Sequence, residues 1–132
     1  MKGKIAVILA ASTLAYGLAA QAHHSFAAMY QSEDTVEIEG QIVQFLFRNP
    51  HSFVHIMAPD EAGSMTRWTI EWSGASALDI GGLRPDTLKR GDTVVITGNP
   101  GRNPDDHRIR MRTLHRPADG FGWGNRPGET VD

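Results

Sequence analysis

The sequence predicts a mainly β fold: a small five-stranded OB-like barrel with one short helix between the third and fourth strands, a small β-sandwich or roll being the alternative. Three observations lead there. Stretches of alternating or β-branched residues occur in the order strand, strand, strand, helix, strand, strand. The first is long and carries a glycine in its interior. The whole set fits within residues 35–116, room for one domain and not two.

The first strand starts near Thr35. Val36, Ile38, Gly40 and Ile42 fall on one face, with Glu37, Glu39 and Gln41 on the other, the period of two that a half-buried strand requires. Gly40 sits inside this alternation, where glycine commonly marks a bulge or sharp bend that helps a small barrel to curl. The strand is expected to run to Phe47 and to break at Arg48-Asn49-Pro50, because proline cannot donate to the ladder. A second strand covers residues 52–57, and residues 60–64 form a polar hairpin loop. Residues 66–72 are the third strand, with Trp68, Ile70 and Trp72 on one face. Residues 73–80 lose the alternation and carry small, cap-like residues, which predicts a short helix closed by Gly81-Gly82; Arg84-Pro85-Asp86-Thr87-Leu88 adds a helical turn. After the turn Lys89-Arg90-Gly91-Asp92, the β-branched run over residues 93–98 is the clearest strand in the chain. Residues 99–104 read as a loop. The last strand spans about residues 107–115, with Ile109, Met111, Thr113 and His115 sharing a face. Beyond Arg116, residues 117–132 are rich in glycine and proline and are expected to form a flexible tail.

The start of the chain reads as an export signal. Lys2 and Lys4 precede an apolar run over residues 5–20, and Ala20-Gln21-Ala22 offers the small residues a signal peptidase needs. Residues 1–22 are therefore assigned to a signal peptide and residues 23–34 to an extended arm. The run is short for a bilayer span, and there is no cysteine to be acylated, so no stable membrane anchor is expected. The mature product is placed in the periplasm or outside the cell, and its core must hold without disulfides. Cleavage leaves 11 Lys+Arg against 15 Asp+Glu and moves the side-chain charge from −2 to −4. A mildly acidic domain of this kind is not a nucleic-acid binder, since such binding relies on concentrated basic surface.

The chemistry-bearing residues are six histidines, at positions 23, 24, 51, 55, 107 and 115, in a chain without thiols. Nitrogen-rich, sulfur-poor ligand sets favour Cu(II), so copper is the expected metal. Cleavage after Ala22 would make His23 the first residue, whose free amine and imidazole can chelate one ion together, as in a copper histidine brace. His23, His24, His51 and His55 are the candidate ligands. His51, beside the rigid Asn49-Pro50 corner, is the preferred partner, whereas His55 lies roughly 13 Å further along the strand at about 3.3 Å per residue. His107 and His115 are read as ordinary strand residues. Met29, Met57, Met65 and Met111 could serve Cu(I), though methionine in a strand more often fills core.

No common catalytic set is present: neither a nucleophile elbow, nor H-E-x-x-H, nor a phosphate loop. Glu37, Glu39, Glu71 and Arg67 read as solvated sheet faces. An oxidase built on a copper brace would need an open coordination position. The alternative to metal binding is a metal-independent module whose barrel face, with Phe45, Phe47, Trp68 or Trp72 partly exposed, holds a small molecule, an oligosaccharide or a partner protein.

Four motifs, His23-His24-Ser25-Phe26, Asn49-Pro50-His51, Trp68-Thr69-Ile70-Glu71 and Leu88-Lys89-Arg90-Gly91-Asp92, together resemble a family of small exported bacterial proteins of unknown function. The resemblance extends to about Leu114. It implies export and supports the β fold, and it brings no established activity; the glycine-rich segment beyond Asp119 departs from the family's usual short ending.

Overall fold

A computed structural model describes residues 26–126 and Glu129. Five strands, β1 (Val36–Leu46), β2 (Phe53–Pro59), β3 (Met65–Glu71), β4 (Thr93–Pro100) and β5 (Arg108–Arg116), form a closed ring. Neighbours run antiparallel in the order β3-β2-β1-β4-β5, and a parallel pairing of β3 with β5, Ile70 opposite Ile109, closes the barrel. A short helix, α1 (Ala75–Ile80), lies between β3 and β4. This is the predicted OB-like architecture.

The long first strand closes the ring because it serves two neighbours. Residues Val36 to Gln41 pair with β4, and Gln41 to Leu46 pair with β2. The register slips between Ile42 and Gln44, so the bulge falls at Val43 rather than at Gly40. Gly40 has a different task. A Cβ built there would lie 2.5 Å from the Met57 carbonyl oxygen and 2.9 Å from the Ala58 Cβ, so the bent strand can lie that close to β2 only without a side chain.

The interior holds Ile42, Val54, Ile56, Ile70, Trp72, Val94, Ile96, Ile109, Met111 and Leu114, with Leu78 of α1 and Leu83 and Leu88 of the following loop packed against them. Residues 84–88 form a turn rather than the expected helical turn. Asn99 and Pro100, read from sequence as loop, continue β4; the buried Asn99 side chain donates to the carbonyls of Ser32 and Asp34 at 3.2 and 2.7 Å and so fastens the arm.

Two expectations at the C-terminal side are overturned. The single alternation predicted for β5 breaks at Arg112, because Thr113 pairs with Thr97 and Met111 with the adjacent Gly98, leaving Arg112 as the extra residue. Leu114 therefore points inward and His115 is exposed. Residues 121–123 do not belong to a loose tail: Phe121–Trp123 form β6, paired with β5 outside the ring. Trp123 is 3% exposed, its ring edge-on to Trp72 with centroids 5.0 Å apart. Burial of that indole outweighs the entropy that the glycines around it would otherwise retain. Arg116 secures the connecting turn through Asp92 at 2.7 Å and Asp119 at 2.8 Å.

Candidate functional site

The site is assembled on the outside of the barrel around one carboxylate. Glu71 ends β3 and points outward, opposite Phe53, yet its side chain is only 7% exposed. The cover comes from the arm. Residues 26–29 form a helical turn, the Tyr30 amide donates to the Phe26 carbonyl at 2.8 Å, and Tyr30 forms a bridge to Gly101. Arg102 clamps the same segment, its amide donating to the Met29 carbonyl at 2.9 Å and its Nε to the Ala27 carbonyl at 2.7 Å.

Three donors converge on Glu71. The Tyr30 hydroxyl donates to Oε2, the Arg108 Nη2 donates to the same oxygen at 3.2 Å, and His51 Nδ1 meets Oε1. Burying a carboxylate is costly unless its oxygens are hydrogen-bonded, and these three partners meet that need. Burial, seconded by the hydrogen bond to Glu71, pushes the Tyr30 phenol well above the usual tyrosine range.

His51 is held from both sides. Below it, the cis Asn49-Pro50 corner is fixed by Asn49, whose Nδ2 donates to Ser76 Oγ at 2.9 Å and whose Oδ1 accepts from the Ser76 amide at 3.1 Å. Gly74 lets the corner approach: a Cβ there would stand 2.4 Å from the Pro50 carbonyl oxygen. Above it, the Phe26 ring stacks on the imidazole with centroids 5.4 Å apart and planes 12° from parallel, and the Arg110 guanidinium lies 3.9 Å over the Phe26 centroid. With Nδ1 turned to a carboxylate, Nε2 is the nitrogen whose lone pair faces away from Glu71. Carboxylates orient metal-binding histidines in this way.

The other candidate residues are dispersed. His23 and His24 lie outside the described residues. His55 sits on the outer face of β2 in cross-strand register with Gln44 and Thr69, its Nδ1 3.3 Å from Thr69 Oγ1, and burial together with the charges of Arg67 and Arg48 lowers its pKa. His107 adopts a left-handed conformation at φ 46° and meets Trp68 edge-on at 5.1 Å. Among the described residues, no three histidine, cysteine or carboxylate side chains gather as a metal-binding group. Nor is any helix among them long and apolar enough to cross a membrane.

Of the aromatics considered for a binding face, Trp72 is fully buried, and Phe45, Phe47 and Trp68 are half-buried against the core. Trp68 and His107 line a surface cleft of about 640 Å³ between the β2–β3 and β4–β5 loops.

Sequence reasoning missed Tyr30, Arg108 and the burial of Glu71, which it read as part of a solvated face. The signal was present in another form, because three of the four motifs noted above each supply one member: Phe26, His51 and Glu71. A profile for a family of unknown function, DUF6152, matches residues 11–110. The chain belongs to that family. The matched segment of this DUF6152 member contains Phe26, Tyr30, His51, Glu71, Arg108 and Arg110. No curated protein and no solved structure matches the chain.

Proposed function

We propose that the protein is an exported module that binds Cu(II) through its mature N-terminus, with the His23 amine and imidazole and the His51 imidazole as ligands. The observation that carries this reading is the Glu71–His51 pair beneath Phe26. It holds one imidazole through Nδ1, which leaves Nε2 as the nitrogen turned from Glu71, beneath a phenylalanine that stands three residues from the expected chain start. Three residues reach at most about 10 Å, so the stretch from His23 to Phe26 is long enough for the mature amine to be brought to His51. His24, which follows His23 in the chain, is not needed as a ligand in this reading. His55, on β2 with Thr69 at its Nδ1, is left out of the ligand set.

The same reading places the working protein in the periplasm or outside the cell, since cleavage is what frees the amine. A brace oxidase would further require an open coordination position, and nothing in the cluster calls for one. A metal-independent role has one observation in its favour, the cleft over Trp68, but the burial of Trp72 removes one of its two tryptophans.

The test is a calorimetric Cu(II) titration of protein whose first residue has been established as His23 by intact mass. One copper per chain is expected, with binding lost in His51→Ala and weakened about 10- to 100-fold in Glu71→Gln, the usual effect of removing an orienting partner. A retained N-terminal tag should abolish binding while leaving the fold intact. Failure of the processed protein to take up copper at neutral pH would end this reading.

A further inference from the structure

We infer that the outer face of β2 carries a second, separate site that binds an oxyanion, between the guanidinium groups of Arg48 and Arg67 and over His55. The three outward residues of β2 in this region are Phe53, His55 and Met57. Arg48 approaches from one side, its guanidinium 5.1 Å over the Phe53 ring. Arg67 approaches from the other: it is in register with Met57, and its Nη2 reaches across β2 to Gln44 Oε1 at 3.2 Å. Gln44 is itself opposite His55. The two guanidiniums are thus brought over the same strand on either side of one imidazole.

These arginines differ from the others that form ion pairs. Arg84, Arg108 and Arg116 each meet a carboxylate, whereas the contacts of Arg48 and Arg67 here are a phenyl ring and a neutral amide. Glu71, the carboxylate opposite Phe53, is turned to Tyr30, His51 and Arg108. The positive charge is registered at His55, whose protonation is disfavoured by burial first and by Arg67 and Arg48 next. The imidazole is held on this face by Thr69 Oγ1, 3.3 Å from Nδ1, and by a hydrogen bond to the Trp68 backbone that favours its protonated form. Two guanidiniums and an imidazole N–H suit a phosphate or a carboxylate, both of which accept several charge-assisted hydrogen bonds. The net charge of the chain is −2, so this is a local feature of the face and not a general attraction for anions.

The experiment is a titration of the mature protein with inorganic phosphate, and in parallel with citrate, at ionic strength held constant with sodium chloride. The readouts are the NMR signals of the arginine Nε–H groups and the histidine rings. Saturable shifts confined to Arg48, Arg67 and His55 are expected, together with a higher titration midpoint for His55 at saturating anion. Saturation by phosphate alone, or by citrate alone, would assign the class of oxyanion. Arg48→Gln and Arg67→Gln should each weaken binding about tenfold, the loss of one charge-assisted contact. No saturable shift with either anion, or equal saturation in the double variant, would overturn the inference. The His55 midpoint in the unmodified protein decides the matter even if a variant folds poorly. Copper plays no part in this test, so its result is independent of the N-terminal site.

Discussion

Replacing Trp123 by alanine should destabilise the whole domain, although the residue lies outside the barrel ring. A buried indole removes roughly 200 Å² from water, which at about 25 cal/mol per Å² amounts to ~5 kcal/mol as an upper bound. Trp123 is 3% exposed and its ring meets Trp72 edge-on, so nearly all of that area is in play. Measured tryptophan truncations in cores cost about 3–5 kcal/mol, and that is the expected loss. In urea, with a slope of about 1–3 kcal/mol per molar for a domain of this size, the midpoint should fall by about 2 M. The assay is urea unfolding followed by far-UV circular dichroism, with the near-UV spectrum reporting the Trp72–Trp123 pair. A change of about 0.5 kcal/mol or less, the usual effect of a surface substitution, would refute the docking of β6. Ending the chain after Arg116 should cost at least as much as the point substitution, because the pairing of β6 with Leu114, His115 and Arg116 is lost too.

Tyr30→Phe should reduce stability by about 1.5–3 kcal/mol, the worth of a hydrogen bond to a charged group. Burial raises the Tyr30 pKa in the folded state. Its contribution is therefore complete below the unfolded value near 10 and is lost as pH climbs above it. Tyr30 is the one tyrosine from His23 onward, so phenolate absorbance follows it alone; ionisation at an ordinary value with the fold intact would contradict its burial. Gly74→Ala should cost about 1–3 kcal/mol by steric overlap with the Pro50 carbonyl. Its φ of −63° is open to any residue, so crowding is the whole penalty, and unchanged urea stability would show that the corner can yield. Copper affinity of the processed protein should fall as pH drops through about 6.5, where imidazole nitrogens gain protons. A flat affinity between pH 7.5 and 5.5 in the calorimeter would exclude histidine ligands.

Much of the fold was legible locally. The alternation from Val36 to Ile42 is a single-strand property, and the β-branched run beginning at Thr93 needs no partner to be recognised. The errors fall where pairing between strands decides. The Arg112 bulge reverses the inward face of β5, and it follows from the register with β4 rather than from any residue in β5 itself. Trp123 is surrounded by glycines that read as disorder, and only the groove beside Trp72 makes its burial favourable. At the site, the motif residues could be named, but their meeting could not be seen. His51 and Glu71 are 20 positions apart and Tyr30 is 41 from Glu71.

The sequence by itself determined the order of the five barrel strands, the short helix between the third and fourth, and the residues worth watching, because hydrophobic period, turn chemistry and motif spacing are local properties of a chain. Only the tertiary structure decided that Glu71 is a covered carboxylate rather than a solvated one, and that His51 is the histidine it holds. The reason is physical: the burial of an outward-facing carboxylate depends on what is laid across it, here an arm pinned by Asn99 and Arg102, residues distant from Glu71 in the chain.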